Sequence, residues 1–290
     1  MTANKSATFD DDAKKLVIAT SESCFDTTDN GDGTVTITNY HIETCSYDIV
    51  IPEKISGKYV SIIGKDAFAG IKECESEGYC SLPKITSVDL NNLSKLKTIG
   101  DGSFHSNDLS ELNLNGLSSL ETIGTYAFGY NKINKLILSK NLLSLKTINE
   151  RAFYSNDLSE LNLNGLPSLT TISSSAFEGN GINSIVLTNL PSLTTIESYA
   201  FSRVIKNYID ENDNMLTISY CSPTYTFGNL PKLKDYDSSN NSGVSKYAFC
   251  DLMCSQCGEE KPKIIYENDN VSIFKTQPFG YDNTAQCLDD

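Results

Sequence analysis

The sequence predicts a repeat solenoid, a β-rich array in which each 24-residue coil gives one short strand to a parallel sheet and short helical or 3-10 turns join the strands. Two observations carry this reading. The twelve residues SNDLSELNLNGL stand at 106–117 and again, unchanged, at 155–166, an offset of 49 that is two turns of something repeating every 24 or 25 residues. Aligned on Ile-x-x-x-x-Phe, the chain reads KTIGDGSFHSNDLSELNLNGLSSL at 97–120, ETIGTYAFGYNKINKLILSKNLLSL at 121–145, KTINERAFYSNDLSELNLNGLPSL at 146–169 and TTISSSAFEGNGINSIVLTNLPSL at 170–193. A unit this short cannot bury its own apolar side chains, so coils must stack until their core is continuous.

Taken in order, residues 1–60 form an N-terminal cap containing a hairpin, because DTTDNGDGTVTITNY at 26–40 sets Asn-Gly-Asp-Gly before the alternating Val35 and Ile37. A degenerate coil opens at VSIIGKDAFAG, from position 60, and closes with ITSVDLNNLSKL. The regular coils fill 97–193, and a further degenerate coil runs from TTIESYAF at 194 to MLTISYCSPTYTFGNLPKL, which puts the solenoid at 61–233. VSKYAFC at 244–250 and KIIYENDNVSIF at 263–274 mark a last coil inside a cysteine-rich C-terminal cap, 234–290, for about seven coils in all.

The columns of the alignment assign jobs. In each Leu-x-Leu strand the residues Leu112 and Leu114, Leu136 and Leu138, Leu161 and Leu163, Ile185 and Leu187 point one way and their neighbours the other. Leu109, Ile133, Leu158 and Ile182, then Leu117, Leu142, Leu166 and Leu190, then Ile99, Ile123, Ile148, Ile172 and Ile196 complete the interior. Phe104, Phe128, Phe153, Phe177 and Phe201, with Phe68 and Phe249 outside the regular block, make an aromatic spine. Asn107, Asn131, Asn156 and Asn180 follow each Phe by three residues, where a stacked amide satisfies the backbone of a turn. Thr98, Thr122, Thr147, Thr171 and Thr195 read as a hydroxyl column of β type.

These columns resemble leucine-rich repeats, and Ile-x-x-x-Ala-Phe is similar to the BspA-like class of bacterial surface proteins and some protozoan parasites. The resemblance spans roughly 33–275, including GDGTVTITNY and IVIPEKISGKYVSIIGKDAF at the start. Strands reading LNLNGL or IVLTNL depart from the Ile-Pro or Leu-Pro ending of that class. What the resemblance implies is a leucine-rich repeat right-handed superhelix used for adhesion and protein binding, extracellular or at the cell surface.

Composition narrows the partners. With 37 acidic against 23 basic side chains and a net charge of −14, the surface repels nucleic acid and anionic lipid and steers in a basic partner. No apolar run is long enough for membrane insertion, and the opening MTANKSATFDDDAKK lacks the apolar stretch of a signal peptide. The nine cysteines, Cys24, Cys45, Cys74, Cys80, Cys221, Cys250, Cys254, Cys257 and Cys287, flank a cysteine-free block at 81–220, which suits disulfide-stapled ends in an oxidising compartment. Four disulfides and one free thiol are expected. CDLMCSQCG at 250–258 lacks a second Cys-x-x-C for zinc, Asp26, Asp29 and Asp32 miss the spacing of a calcium loop, and nucleophile, phosphate-loop and metalloprotease motifs are missing. No cofactor, metal or catalytic residue is expected.

The outward strand side chains are then the candidate ligand-binding positions: Asp89, Glu111, Asn113, Lys135, Ile137, Glu160, Asn162 and Val186. Ile137 and Val186 stand out because the core does not need them. Glu111 and Glu160 resemble a carboxylate pair, but repetition explains them more simply. Two insertions, 71–84 and 202–214, offer the edge-loop candidates Tyr79 and Tyr208. The expected function is a non-catalytic interaction or adhesion module binding extracellular or host proteins; the alternatives are a structural spacer in a larger surface protein and a glycan-binding protein. The sequence leaves the oligomeric state open.

Overall fold

The computed structural model describes residues 5–10, 15–73, 79–138, 141–202, 207–209, 215–217, 224–228, 230, 232, 243–244 and 263–266; within 5–18, at 71–73 and 79–81, and in the strands beyond 202 the backbone alone is described. The chain is a β-solenoid that divides into two compact units, 1–144 and 145–290. Among the described residues the only helix is a 3-10 turn at Glu22–Cys24.

The expected Leu-x-Leu strand is present in each coil, and a second, shorter strand accompanies it. In the N-terminal unit Asp48–Val50 pairs in parallel with Ser87–Asp89, and Glu111–Asn113 with Lys135–Ile137. The second ladder runs through Lys58–Ile63, Thr98–Ile99 and Thr122–Ile123. It is headed by Thr34–Tyr40, which pairs in parallel with Lys58–Ile63 and forms an antiparallel hairpin with Phe25–Asp29. In the C-terminal unit one ladder is Glu160–Asn162, Ser184–Thr188, Thr224–Gly228 and Lys263–Tyr266, and the other is Thr147–Ile148, Thr171–Ile172, Thr195–Ile196 and Gly243–Val244. The threonine column therefore belongs to strands, in the register Thr98 to Thr122 and Thr147 to Thr171 to Thr195. A β-branched pair fits a pleated, half-buried surface, which explains Thr-Ile at this station.

The insertions are antiparallel ribbons. Ile71–Glu73 pairs with Tyr79–Ser81, and Asn207–Ile209 pairs with Met215–Thr217. The second insertion thus reaches past residue 214, and the strand of its coil is Thr224–Gly228.

The interior matches the columns with one correction. The Ile, Ala-Phe and Leu stations of the regular coils are buried, and Phe104, Phe128, Phe153 and Phe177 are fully so. Their rings stack face to face, 5.2 Å apart for Phe104 and Phe128 and 5.1 Å for Phe153 and Phe177. In the cap, Phe25 and Tyr40 extend the stack beyond Phe68, with Tyr40 5.2 Å from Phe68 and Phe68 4.8 Å from Phe104. Leu136 and Leu138, expected inside, are half-buried, and Leu143 is 56% exposed. Their coil is one residue longer than its neighbours between the strand and Leu142.

The asparagines couple the coils. Asn131 Oδ1 accepts the Leu109 N–H at 3.1 Å, and its Nδ2 donates to the carbonyls of Phe104 at 2.9 Å and Phe128 at 3.1 Å. Asn180 repeats the arrangement with Leu158, Phe153 and Phe177, and Asn107 with Ile85, Phe68 and Phe104. The coils approach too closely for side chains at some points: a Cβ on Gly100 would lie 2.7 Å from the Ile63 carbonyl oxygen.

Cys24 and Cys45 form a disulfide, with Cα atoms 6.0 Å apart. Cys74, Cys221, Cys250, Cys254, Cys257 and Cys287 lie outside the described residues, and Cys80 is described by its backbone alone.

Phe104→Ala is expected to cost about 3–5 kcal/mol, because it opens a cavity in the middle of the ring stack. Asn131→Ala should cost about 2 kcal/mol or more, since it leaves buried backbone groups of two coils without partners; denaturant melts of both variants check this. Removing the Cys24–Cys45 link with a double alanine variant should cost about 3 kcal/mol from the loop it closes, read in the same assay against the oxidised parent chain.

Candidate functional site

The outward strand face has two stations per coil. At the first, Ser87, Glu111 and Lys135 of the N-terminal unit and Glu160 of the C-terminal unit are exposed, while Ser184 is half-buried. Lys135 Nζ lies 3.2 Å from Glu111 Oε2, so two of the candidate ligand residues pair with each other. Three residues earlier in each coil, Lys132 Nζ lies 3.0 Å from Asp108 Oδ1. Exposed pairs of this kind contribute at most about 1 kcal/mol, but like charges stacked at strand spacing would repel. Opposite charges on neighbouring coils avoid that repulsion.

At the second station the side chains close turns. The Oδ1 atoms of Asp89, Asn113 and Asn162 each accept the backbone N–H two residues on, from Asn91, Asn115 and Asn164, all at 2.9 Å. These three candidates end their own strands. Ile137 and Val186 occupy the same station without that bond, stand opposite Asn113 and Asn162 in Cα register, and are half-buried. Of the eight strand positions, Glu160, Ile137 and Val186 are left with neither a pairing nor a turn bond given by the described geometry.

Of the edge-loop candidates, Tyr79 sits opposite Glu73 and Tyr208 opposite Leu216 in the two antiparallel ribbons; their side chains lie outside the described residues. The cysteine motif at 250–258 also lies outside them. Among the described residues no three His, Cys, Asp or Glu side chains gather to hold a metal ion, and no helix is long and apolar enough to cross a membrane. The hairpin aspartates instead hold their own turn: Asp29 Oδ1 accepts from Gly31 N–H, Asp32 Oδ1 accepts from both Thr34 N–H and its hydroxyl, and Asp29 pairs with Lys58.

The N-terminal unit also holds a cavity of about 830 Å³ that no sequence column foretells. One wall is the cap segment 39–44, the other the turns leading to Phe68, Phe104 and Phe128. The disulfide anchors the first wall, because His41 N–H donates to the Cys24 carbonyl and Cys45 N–H to the His41 carbonyl, both at 2.9 Å. Tyr40 lies at its base, its hydroxyl donating to Ser46 O at 2.7 Å and its pKa pushed up to about 12 by burial. Both histidines of the chain line it. His41 Nε2 lies 3.0 Å from Asp26 Oδ1, and His105 Nδ1 lies 2.8 Å from Ser106 Oγ. The His105 ring meets Tyr126 and Tyr130 edge-on at 5.5 and 5.1 Å. Residues drawn from 39 to 126 make this site, so only their shared histidines and the Asp-rich turn sequences hint at it.

Comparison with known proteins bears on these surfaces. The profile of the BspA-type leucine-rich repeat region matches in six copies, over 35–163, 72–209 and 146–259. The chain belongs to this family. The strand ladder, phenylalanine stack and asparagine turns described above are therefore the BspA-type repeat as this chain builds it. Among solved structures, the BspA-type chain is similar to a leucine-rich repeat protein of T. pallidum, with 19% identity, 74% of this chain and 73% of that one covered, and a TM-score of 0.39. A leucine-rich cell surface protein of Faecalibacterium prausnitzii matches at 14% identity over 93% of this chain and 97% of that one, with a TM-score of 0.30. The pneumococcal vaccine antigen PcpA matches at 14% identity over 91% and 71%, with a TM-score of 0.41. No functionally curated protein matches.

The cavity carries a pH signature. Burial holds the His105 pKa below its ordinary 6.5; Asp66 opposes this and Lys84 adds to it, while Tyr126, Tyr130 and Ser106 complete its surroundings. Below 6.5 the unfolded chain takes up a proton that the folded chain does not, so His105 costs stability as pH falls from 6.5 towards its folded pKa. The exposed Asp26, Asp29 and Asp32, pulled below 3.8 by hydrogen bonds from His41, Lys58 and Thr34, withdraw their contribution only at lower pH. The thermal midpoint should therefore drop between pH 7 and about 5, and His105→Gln should flatten that slope while leaving the acid transition in place.

Proposed function

We propose that this chain is a non-catalytic protein-interaction module of a secreted or cell-surface protein, adhesive in use, which binds extracellular or host proteins through its Leu-x-Leu strand face. Membership of the BspA-type family supports the reading. So does one structural observation: on the strand face Ile137 and Val186 interrupt a station that polar turn-closing residues otherwise fill, and neither is required by the buried core. A β-branched side chain there adds apolar contact area to a face whose rims are charged, the composition of a recognition surface. Rigid backbone ladders beneath it mean that little ordering entropy is lost on binding. Nothing in the mechanism breaks a covalent bond; affinity comes from complementarity with the outward side chains, and the acidic excess steers basic partners. A spacer in a larger surface protein is the competing reading.

The expected result is that Ile137→Ser, Val186→Ser and Glu111→Gln combined abolish binding in a screen against extracellular proteins, while the chain stays folded with about 1–3 kcal/mol lost, because Glu111 is exposed and Ile137 and Val186 are half-buried. A parent chain that finds no ligand in that screen would favour the spacer; a ligand bound equally by parent and variant would move the contact off the strand face.

A further inference from the structure

An asparagine followed by glycine is chemically labile, because the glycine nitrogen, unhindered by a side chain, can attack the asparagine side-chain carbon. The chain holds four such pairs, Asn30–Gly31, Asn115–Gly116, Asn164–Gly165 and Asn180–Gly181. Two of them, Asn115–Gly116 and Asn164–Gly165, end the identical stretches SNDLSELNLNGL, so any difference between them comes from the fold.

Three of the four are held. Asn30 Nδ2 donates to the hydroxyls of Thr34 at 2.9 Å and Ser61 at 3.2 Å, its Oδ1 accepts from Thr36 at 2.8 Å, and the Gly31 N–H donates to Asp29 Oδ1 at 3.0 Å. Asn180 is buried, its amide fixed to Leu158, Phe153 and Phe177. Asn164 is exposed, but its Oδ1 accepts from Asn189 Nδ2 at 2.9 Å and the Gly165 N–H donates to the Thr188 carbonyl at 3.1 Å. Asn115 differs. Its Oδ1 is buried with no hydrogen-bond partner, which is unfavourable for an amide oxygen, and the N–H of the exposed Gly116 meets no backbone acceptor among the described residues.

We infer that Asn115–Gly116 is a site of spontaneous modification, where the folded chain converts asparagine to aspartate and isoaspartate. The Gly116 nitrogen forms a bond to Asn115 Cγ, the Cγ–Nδ2 bond breaks, and Nδ2 leaves as ammonia with the proton that the Gly116 nitrogen gave up. Solvent water then opens the cyclic imide, at Cγ to give aspartate or at the backbone carbonyl carbon of residue 115 to give isoaspartate. Ring closure here breaks no side-chain hydrogen bond and lets the unpaired oxygen leave its buried position. At Asn30 and Asn180 it would break three, and at Asn164 one together with the bond of the Gly165 N–H. The site adjoins the strand face, since the Asn115 N–H donates to Asn113 Oδ1 at 2.9 Å. A Cβ on Gly116 would lie 2.8 Å from the Asn91 carbonyl oxygen, so the extra backbone carbon of isoaspartate enters a turn already tight. Age therefore adds a negative charge to the end of strand Glu111–Asn113 and loosens its closing turn, whatever partner that face binds.

The test follows the full chain in mildly alkaline buffer, with circular dichroism showing that it stays folded, and a parallel sample unfolded in guanidinium chloride. After digestion, mass spectrometry counts aspartate and isoaspartate at each pair over time; Ser118 and Pro167 tell the peptides of the two identical stretches apart. In guanidinium the four pairs should react at similar rates. In the folded chain Asn115 should react at least about fivefold faster than each of the others. Asn189→Gly, which tolerates the positive φ of that position and removes the amide that holds Asn164, should raise the Asn164 rate by about twofold or more. A folded chain in which Asn164 or Asn30 reacts as fast as Asn115, or in which Asn115 is as slow as Asn180, would overturn the proposal. Should Asn189→Gly not fold, the comparison of Asn115 with Asn164 in the parent chain alone decides it.

Discussion

Every coil must lie on its neighbour at the spacing of a β-sheet hydrogen bond, about 4.8 Å, and the rest of the molecule follows from that constraint. The two strand stations impose it on the backbone, and the phenylalanines fit it because near-parallel rings with centroids 5.1 and 5.2 Å apart keep nearly the same separation. Side chains that do not fit the spacing are excluded, which is why Gly100 and Gly124 stand where backbones meet. Stability is then shared between neighbours, and a defect in one coil is felt in the next.

The core was legible in the sequence because it is periodic: a residue that must be apolar in one coil must be apolar in all of them. The asparagine role was legible for the same reason, since a buried amide recurring after Phe has only backbone to bond. Other features lacked such a signal. The Thr-Ile strand is only two residues long, too short for an alternating pattern. The turn before Phe takes positive φ at Asp66, Tyr126, Arg151, Ser175 and Tyr199, residues that give no hint of it; Gly102 alone does. Asp89, Asn113 and Asn162 carry the spacing of a side chain that bonds the backbone two residues on, a signal masked by their outward direction. The cavity was illegible because the cap segment 39–44 and the turns around Asp66, Asp101 and Thr125 meet only after folding.

The charged positions change meaning once the pairs are seen. The columns Lys84, Asp108, Lys132, Asp157 and Glu111, Lys135, Glu160 alternate in sign along the sequence, and within the N-terminal unit Asp108 pairs with Lys132 and Glu111 with Lys135.

The asparagine ladder also has a direction. In each bridge the amide of the later coil reaches back and satisfies the N–H and carbonyl of the earlier one, as Asn131 does for Leu109 and Phe104 and Asn180 for Leu158 and Phe153. Contacts in the other sense use other side chains, as where Asp101 Oδ1 accepts the Thr125 N–H of the following coil. A chain emerging from the ribosome presents its coils in that same sequence, and each arrival closes the groups its predecessor left open. Folding of this solenoid can therefore proceed like a zip drawn from the hairpin cap, with synthesis itself setting the order of its steps.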